Sequence, residues 1–234
     1  MRSCNGAPSR AQRAPRLRLR RLLLAAAILV QATVLLGQTP RGQGNRYLGR
    51  LDTPVEGVLY TNLRTIDVLR DVAGRYHLMI GVSGVAIGDD SFHINVDVRR
   101  GTIRDVLDAV VREDARYHWE LRRDGSISVT IGALLVLPDV PLQSVDIEGK
   151  RRIEMAKSML GIPEVAGWLR DSRCLLDQIV AITGRPPREA ATVTLHVRDE
   201  PLWAALNSAA MSSGQYFWSL VQYSDQPCRI NLGL

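Results

Sequence analysis

Two periods run through this chain, and the points where one replaces the other mark its elements. Phe92, Ile94, Val96 and Val98 alternate with His93, Asn95 and Asp97, the two-residue period of a strand with one buried face. Tyr117, Trp119 and Leu121 alternate with His118, Glu120 and Arg122, and Asp124-Gly125 then turns the chain into Ile127, Val129 and Ile131, which predicts a hairpin. Between these strands Ile103, Val106, Leu107 and Val110 share one face of a helix, with Thr102 and Asp105 as a capping pair at its start. An earlier stripe, Leu63, Ile66, Leu69 and Val72, recurs at three-residue steps up to a stop near Gly74, and Leu78 to Val82 is a short apolar run.

The second half restates this order. Ile94 to Trp119 map onto Val193 to Trp218 at a constant offset of 99 positions without a gap. Under that shift Val98, Arg99, Leu107, Tyr117 and Trp119 meet identical residues, and every other core position stays apolar. Strand, helix and strand periods are all in phase, the mark of a duplicated unit. Asp199, Glu200 and Pro201 read as a second helix start with a capping acid and an early proline. Leu142 to Ile147 reads as a strand, then Ile153, Ala156, Met159 and Leu160 as one helical face stopped by Gly161, and Pro163 opens the short helix PEVAGWLRDS. Cys174 to Ile182 fits strand or helix equally, Gly184 to Pro187 is a loop, and Ser224-Asp225 turns into the closing strand Cys228, Ile230, Leu232. The pattern predicts an α+β protein of two related small domains, 57–133 and 139–234, each a mixed or antiparallel sheet with helices packed on one face.

Ahead of them, Leu22 to Gly37 is an apolar run short for a membrane span and preceded by an arginine-rich stretch, so residues 1–37 read as a cleaved signal peptide or an uncleaved N-terminal anchor. Either way the body is exported, with 38–56, rich in Gly, Arg, Pro and Asn, as a flexible linker. Charge supports this division. The chain carries 30 Lys+Arg against 24 Asp+Glu, but seven of the arginines and none of the acids lie within the first 21 residues. The remainder is near neutral, which excludes a nucleic-acid binder, since phosphate binding needs a basic folded surface.

Candidate chemistry is sparse. His77, His93, His118 and His196 lack paired ligand spacing, although His93 and His118 could be neighbours across a sheet; Asp89-Asp90 is too short a run of oxygens for a calcium loop; Ser83 and Ser126 lack a nucleophile's surroundings. No enzyme, cofactor or metal is expected. Cys4 falls in the targeting segment, leaving Cys174 and Cys228 to form one disulfide or to remain buried thiols. Trp203 occupies the position that Arg104 holds in the first unit, off the helix's apolar stripe, so something outside its own core should cover it: a binding partner, the first domain, or the helix bearing Trp168.

The segment FHINVDVRRGTIRDVLDAVVREDARYHWELRRDGSISVTI resembles the short N-terminal domain shared by secretins and TonB-dependent receptors, over roughly residues 61–132, and the second unit resembles it from Ala191 onward. The resemblance implies a periplasmic contact module without a cofactor, which meets a protein or peptide of the bacterial envelope; strand addition at a sheet edge fits a sequence without a chemical motif, since it needs only backbone hydrogen bonds. The alternative is an envelope enzyme or glycan-binding protein with its site in a cleft between the domains, for which a deep pocket holding two carboxylates would speak.

Overall fold

The structure is a computed structural model and describes residues 50–86, 92–180, 192–223 and 228–234. The first half runs β1 (Pro54–Arg64), α1 (Thr65–Tyr76), β2 (Ile80–Ala86), β3 (His93–Thr102), α2 (Ile103–Glu113), β4 (Tyr117–Leu121) and β5 (Ile127–Gly132). A 3-10 turn (Leu137–Asp139) leads to the second half: β6 (Pro141–Lys150), α3 (Arg152–Leu160), α4 (Pro163–Asp171), β7 (Leu175–Val180), β8 (Val193–Pro201), α5 (Leu202–Ser212), β9 (Phe217–Tyr223) and β10 (Arg229–Gly233). Mixed strands with helices packed on them make this an α+β fold.

Each half forms an antiparallel ribbon, β1 with β3 and β6 with β8, while the remaining strands join one six-stranded sheet in the order β4-β5-β2-β9-β10-β7. The sheets of the two halves are thus fused edge to edge. β2 of the first half lies parallel to β9 of the second, with Ile80 beside Phe217 and Gly81 beside Trp218. Because side chains alternate between faces, Ile80, Val82, Phe217 and Val221 belong to the first core, whereas Trp218, Leu220, Ile230 and Leu232 belong to the second. One core therefore sits on each face of the shared sheet.

Local chemistry explains the elements. At the start of α2 the Asp105 N–H donates to Thr102 Oγ1 at 3.3 Å and the Thr102 N–H donates to Asp105 Oδ2 at 2.7 Å, a reciprocal cap. α2 and α5 begin and end 99 positions apart, and Leu107 and Leu206 are 0% and 1% exposed. At the other end of α2, the buried Asp114 accepts from Thr65 Oγ1 (2.7 Å) and from Arg116 Nε and Nη2 (2.8 Å each), tying the start of α1 to the end of α2. Burial pushes the Asp114 carboxyl up, but these donors outweigh it and hold it below the usual carboxylate range.

Several expectations need correction. The linker expected to reach residue 56 ends earlier, since Pro54 to Glu56 pair with β3 and Leu51 and Val55 are buried; a free β3 edge recruits this polar-looking segment through its backbone. Leu63 is not on the α1 stripe but at the end of β1, exposed, because a bulge between Tyr60 and Leu63 with Asn62 at φ 53° turns the strand there. Phe92 precedes β3 and is exposed, with the Arg116 guanidinium over its ring at 5.1 Å. In α3 it is Met155 rather than Ile153 that joins Ala156, Met159 and Leu160 in the core. α5 has no side-chain cap: Pro201 is its N-cap residue and Asp199 sits in β8 at φ 53°. The ambiguous segment after Cys174 is strand β7, parallel to β10. Residues 1–37, Asp89-Asp90, the 184–187 loop and the Ser224-Asp225 turn lie outside the described residues.

Candidate partner-binding edge and the Trp203 cleft

The alanine-rich sequence of α5 buries Leu202, Ala205, Leu206, Ala209 and Ala210 and leaves Trp203 beside that stripe, half-buried at the margin of the second core. Its ring is covered from the first half, where the Arg122 guanidinium lies 4.5 Å from the ring centroid. Arg122 follows β4 directly and also donates to Ser128 Oγ at 3.3 Å. In the sister position Arg104 stacks over Trp119 of its own unit at 5.7 Å and pairs with Asp52 at 3.6 Å. The same helix position thus carries a cation in one repeat and the ring in the other, and each makes a cation–ring contact.

Trp203 borders a cavity of about 320 Å³ between the halves, lined also by Met79, Asp124, Ser126, Glu200 and Asn207. Two carboxylates meet here, the feature that would speak for an enzyme or a glycan site. Asp124, however, is committed: Oδ1 accepts from the Ser126 N–H (3.0 Å) and hydroxyl (2.8 Å), and Oδ2 accepts from Asn207 Nδ2 at 3.3 Å. Asn207 is buried and its Oδ1 accepts the Trp218 indole N–H at 2.6 Å. The chain Trp218–Asn207–Asp124 therefore bridges the halves. In the first repeat Asp108 holds the equivalent Trp119 indole, at 2.9 Å. At 207 an amide is required where 108 takes a carboxylate, because only the second repeat's residue also faces Asp124 and must donate to it. Glu200, by contrast, is exposed.

The other open feature is β4, the outer strand of the sheet, whose pairing among the described residues is with β5 alone. Arg122 N donates to Ser126 O and Gly132 N donates to Arg116 O, both at 2.8 Å, so the even-numbered residues bond inward. By the alternation of an antiparallel pair, the backbone groups of Trp119 and Leu121 point outward. On the face away from the first core, His118, Glu120 and Arg122 border a second cavity of about 330 Å³, lined further by Ser83, Ser128, Thr130 and the exposed Leu134. In β9 the equivalent positions are Phe217, Ser219 and Val221, all buried. The edge is polar where the internal joint is not, a pattern that keeps free strands from indiscriminate pairing. In the sequence His118, Glu120 and Arg122 stand only as the polar positions of an alternating strand; setting the two repeats side by side at these positions is the signal that sets the edge apart.

Cys174 and Cys228 form a disulfide with Cα atoms 4.5 Å apart, anchoring the start of β7 to the start of β10. His93 lies on the β1–β3 ribbon and His118 on the six-stranded sheet, so the two do not meet across a sheet, and among the described residues no group of three His, Cys, Asp or Glu could hold a metal. Among those residues, too, no helix is long and apolar enough to cross a membrane. No protein-family model matches the chain, and no curated protein matches it in sequence.

Proposed function

We propose that the protein is a non-enzymatic protein-interaction module of the bacterial cell envelope, exported behind residues 1–37 into the periplasm, or held at the inner membrane by them. It offers the β4 edge, with the Trp203–Arg122 stack at its end, to a protein or peptide partner. The observation that carries this reading is the outer side of β4, which pairs with no strand among the described residues and whose outward backbone groups at Trp119 and Leu121 can receive another strand without any catalytic motif. The resemblance of residues 61–132 to secretin and TonB-receptor N-terminal domains supports the compartment and the absence of a cofactor. The enzyme or glycan-binding alternative draws on the two carboxylates beside Trp203, but Asp124 already spends its oxygens on Ser126 and Asn207.

The test is a photo-crosslinking residue placed at His118 in the C-terminally tagged chain, expressed in the cell it comes from. A crosslink to one envelope protein, mapped to one segment of it and lost in the Leu121→Pro variant, is the expected result. Leu121→Pro removes an outward donor while sparing the bonds to β5, and its thermal melt reports whether the fold survives. Crosslinks only to unrelated cytoplasmic proteins, or an unaltered crosslink in a folded Leu121→Pro variant, would overturn the reading.

A further inference from the structure

Building on that reading of β4, the two repeats together say what kind of strand the edge takes. β9 is the repeat equivalent of β4, and β9 is occupied: β2 lies parallel against it, in the register that sets Ile80 beside Phe217, Gly81 beside Trp218 and Val82 beside Ser219. The Ile80 N–H donates to Tyr216 O at 2.9 Å. Among the described residues the chain thus carries one filled copy of the site and one open copy.

In the filled copy the Trp218 indole lies over Gly81, where any Cβ would collide with the ring. The indole is fixed by its bond to Asn207. In the open copy the Trp119 indole is fixed in the same way, by Asp108 at the equivalent helix position. Trp218 is 4% exposed beneath its strand, whereas Trp119 is only half-buried. The half-site for a glycine is therefore already built at β4. What differs is the opposite face, where Phe217, Ser219 and Val221 give way to His118, Glu120 and Arg122. Neighbours in adjacent strands share a face, and opposite charges at such positions attract.

We infer that β4 receives an extended segment of a partner protein, parallel to β4, with glycine beside Trp119, a cationic residue beside Glu120 and an anionic residue beside Arg122. A second copy of this chain fits less well. β7, which among the described residues pairs with β10 alone, corresponds to β2 through the ladders Ile179–Leu232–Leu220 and Ile80–Ile127–Leu121, so the register aligns position 180, a valine in the sequence, with Gly81. A β-branched residue replaces the glycine that the indole requires.

The probe is a short synthetic peptide of alternating strand-forming residues with glycine, lysine and glutamate at the three stated positions, titrated into the full chain labelled with ¹⁵N at tryptophan and leucine. The Trp119 indole and the Trp119 and Leu121 amides should shift while the Trp218 indole stays in place. Valine in place of the peptide's glycine, or exchange of its lysine and glutamate, should weaken binding by roughly tenfold or more, and Glu120→Lys combined with Arg122→Glu should restore the exchanged peptide. A paramagnetic tag on the peptide's amino end should broaden signals near Tyr117 rather than near Leu121. Broadening near Leu121, indifference to the glycine or to the charge order, or no shift at millimolar peptide would overturn the inference. So would self-association of the chain that perturbs the same signals without peptide, which selects the second copy. A mapped crosslink from His118 alongside such a failure would leave β4 as a binding edge and remove only the orientation and composition argued for its ligand.

Discussion

The bridge between the halves makes a quantitative demand. Asn207→Ala removes the acceptor of the Trp218 indole N–H, a bond of 2.6 Å between residues 5% and 4% exposed. A buried donor left without a partner costs about 1–3 kcal/mol. The bond from Asn207 to Asp124 is longer, at 3.3 Å, and Asp124 keeps its two bonds from Ser126, so its loss adds little. Alanine is the better helix former by about 0.5 kcal/mol, which offsets part of the loss. The net is about 1.5 kcal/mol, or a fall in melting temperature of about 3–6 °C for a body of this size. Urea unfolding followed by tryptophan fluorescence measures it. Asn207→Asp keeps an acceptor for the indole but sets a carboxylate against Asp124, so it should destabilise as well, while Asp108→Asn in the first repeat should be tolerated. A double-mutant cycle with Asp124→Ala should show a coupling of about 0.5–1 kcal/mol between residues of different halves. A loss below about 0.5 kcal/mol for Asn207→Ala, or strict additivity with Asp124→Ala, would refute the idea that this chain of bonds joins the halves.

Leu107→Ala and Leu206→Ala, at equivalent buried positions, should each cost about 2–5 kcal/mol in chemical denaturation through lost burial and a cavity, and a small effect at either would contradict the equivalence of α2 and α5. Reducing the Cys174–Cys228 bond, which closes a separation of 54 residues, should lower stability by up to about 4 kcal/mol; an unchanged melting curve with and without reductant would contradict that role. Asp114 has a folded pKa below its unfolded value, so its contribution is present above the unfolded value and lost as pH falls through the folded one. Stability measured from neutral into acid pH should therefore fall less steeply in Asp114→Asn than in the parent, though the variant starts lower; parallel slopes would sink this assignment.

The α+β class was legible because core-facing alternation in β3, β4 and β5 and the stripe of α2 are written in side chains alone. β1 was not, because what recruits Pro54 to Arg64 is the backbone of β3, and a strand held by ladder bonds with most of its side chains exposed shows little hydrophobic period. The fusion of the two sheets through β2 and β9 was hidden for a related reason. Gly81 looks like a weak point in an apolar run, and its purpose appears only when Trp218 lies across it. Trp203 could be singled out from its place off the helical stripe, but Arg122, which covers it, sits 81 positions away in the other half, and no local pattern links them. The committed state of Asp124 and Asn207 likewise depends on the meeting of a hairpin turn and a helix distant in sequence.

Among the described residues β4 stands as an open copy of the strand site that β9 shows filled. Amide hydrogen exchange on the free chain, resolved at single residues, separates an open edge from an occupied one. The Trp119 and Leu121 amides should exchange fast, and those of Trp218 and Leu220, which face the β2 ladder, should exchange slowly, with protection differing by orders of magnitude. Protection of Trp119 and Leu121 equal to that of Trp218 and Leu220 in the free chain would contradict the claim, because the edge would then already be occupied.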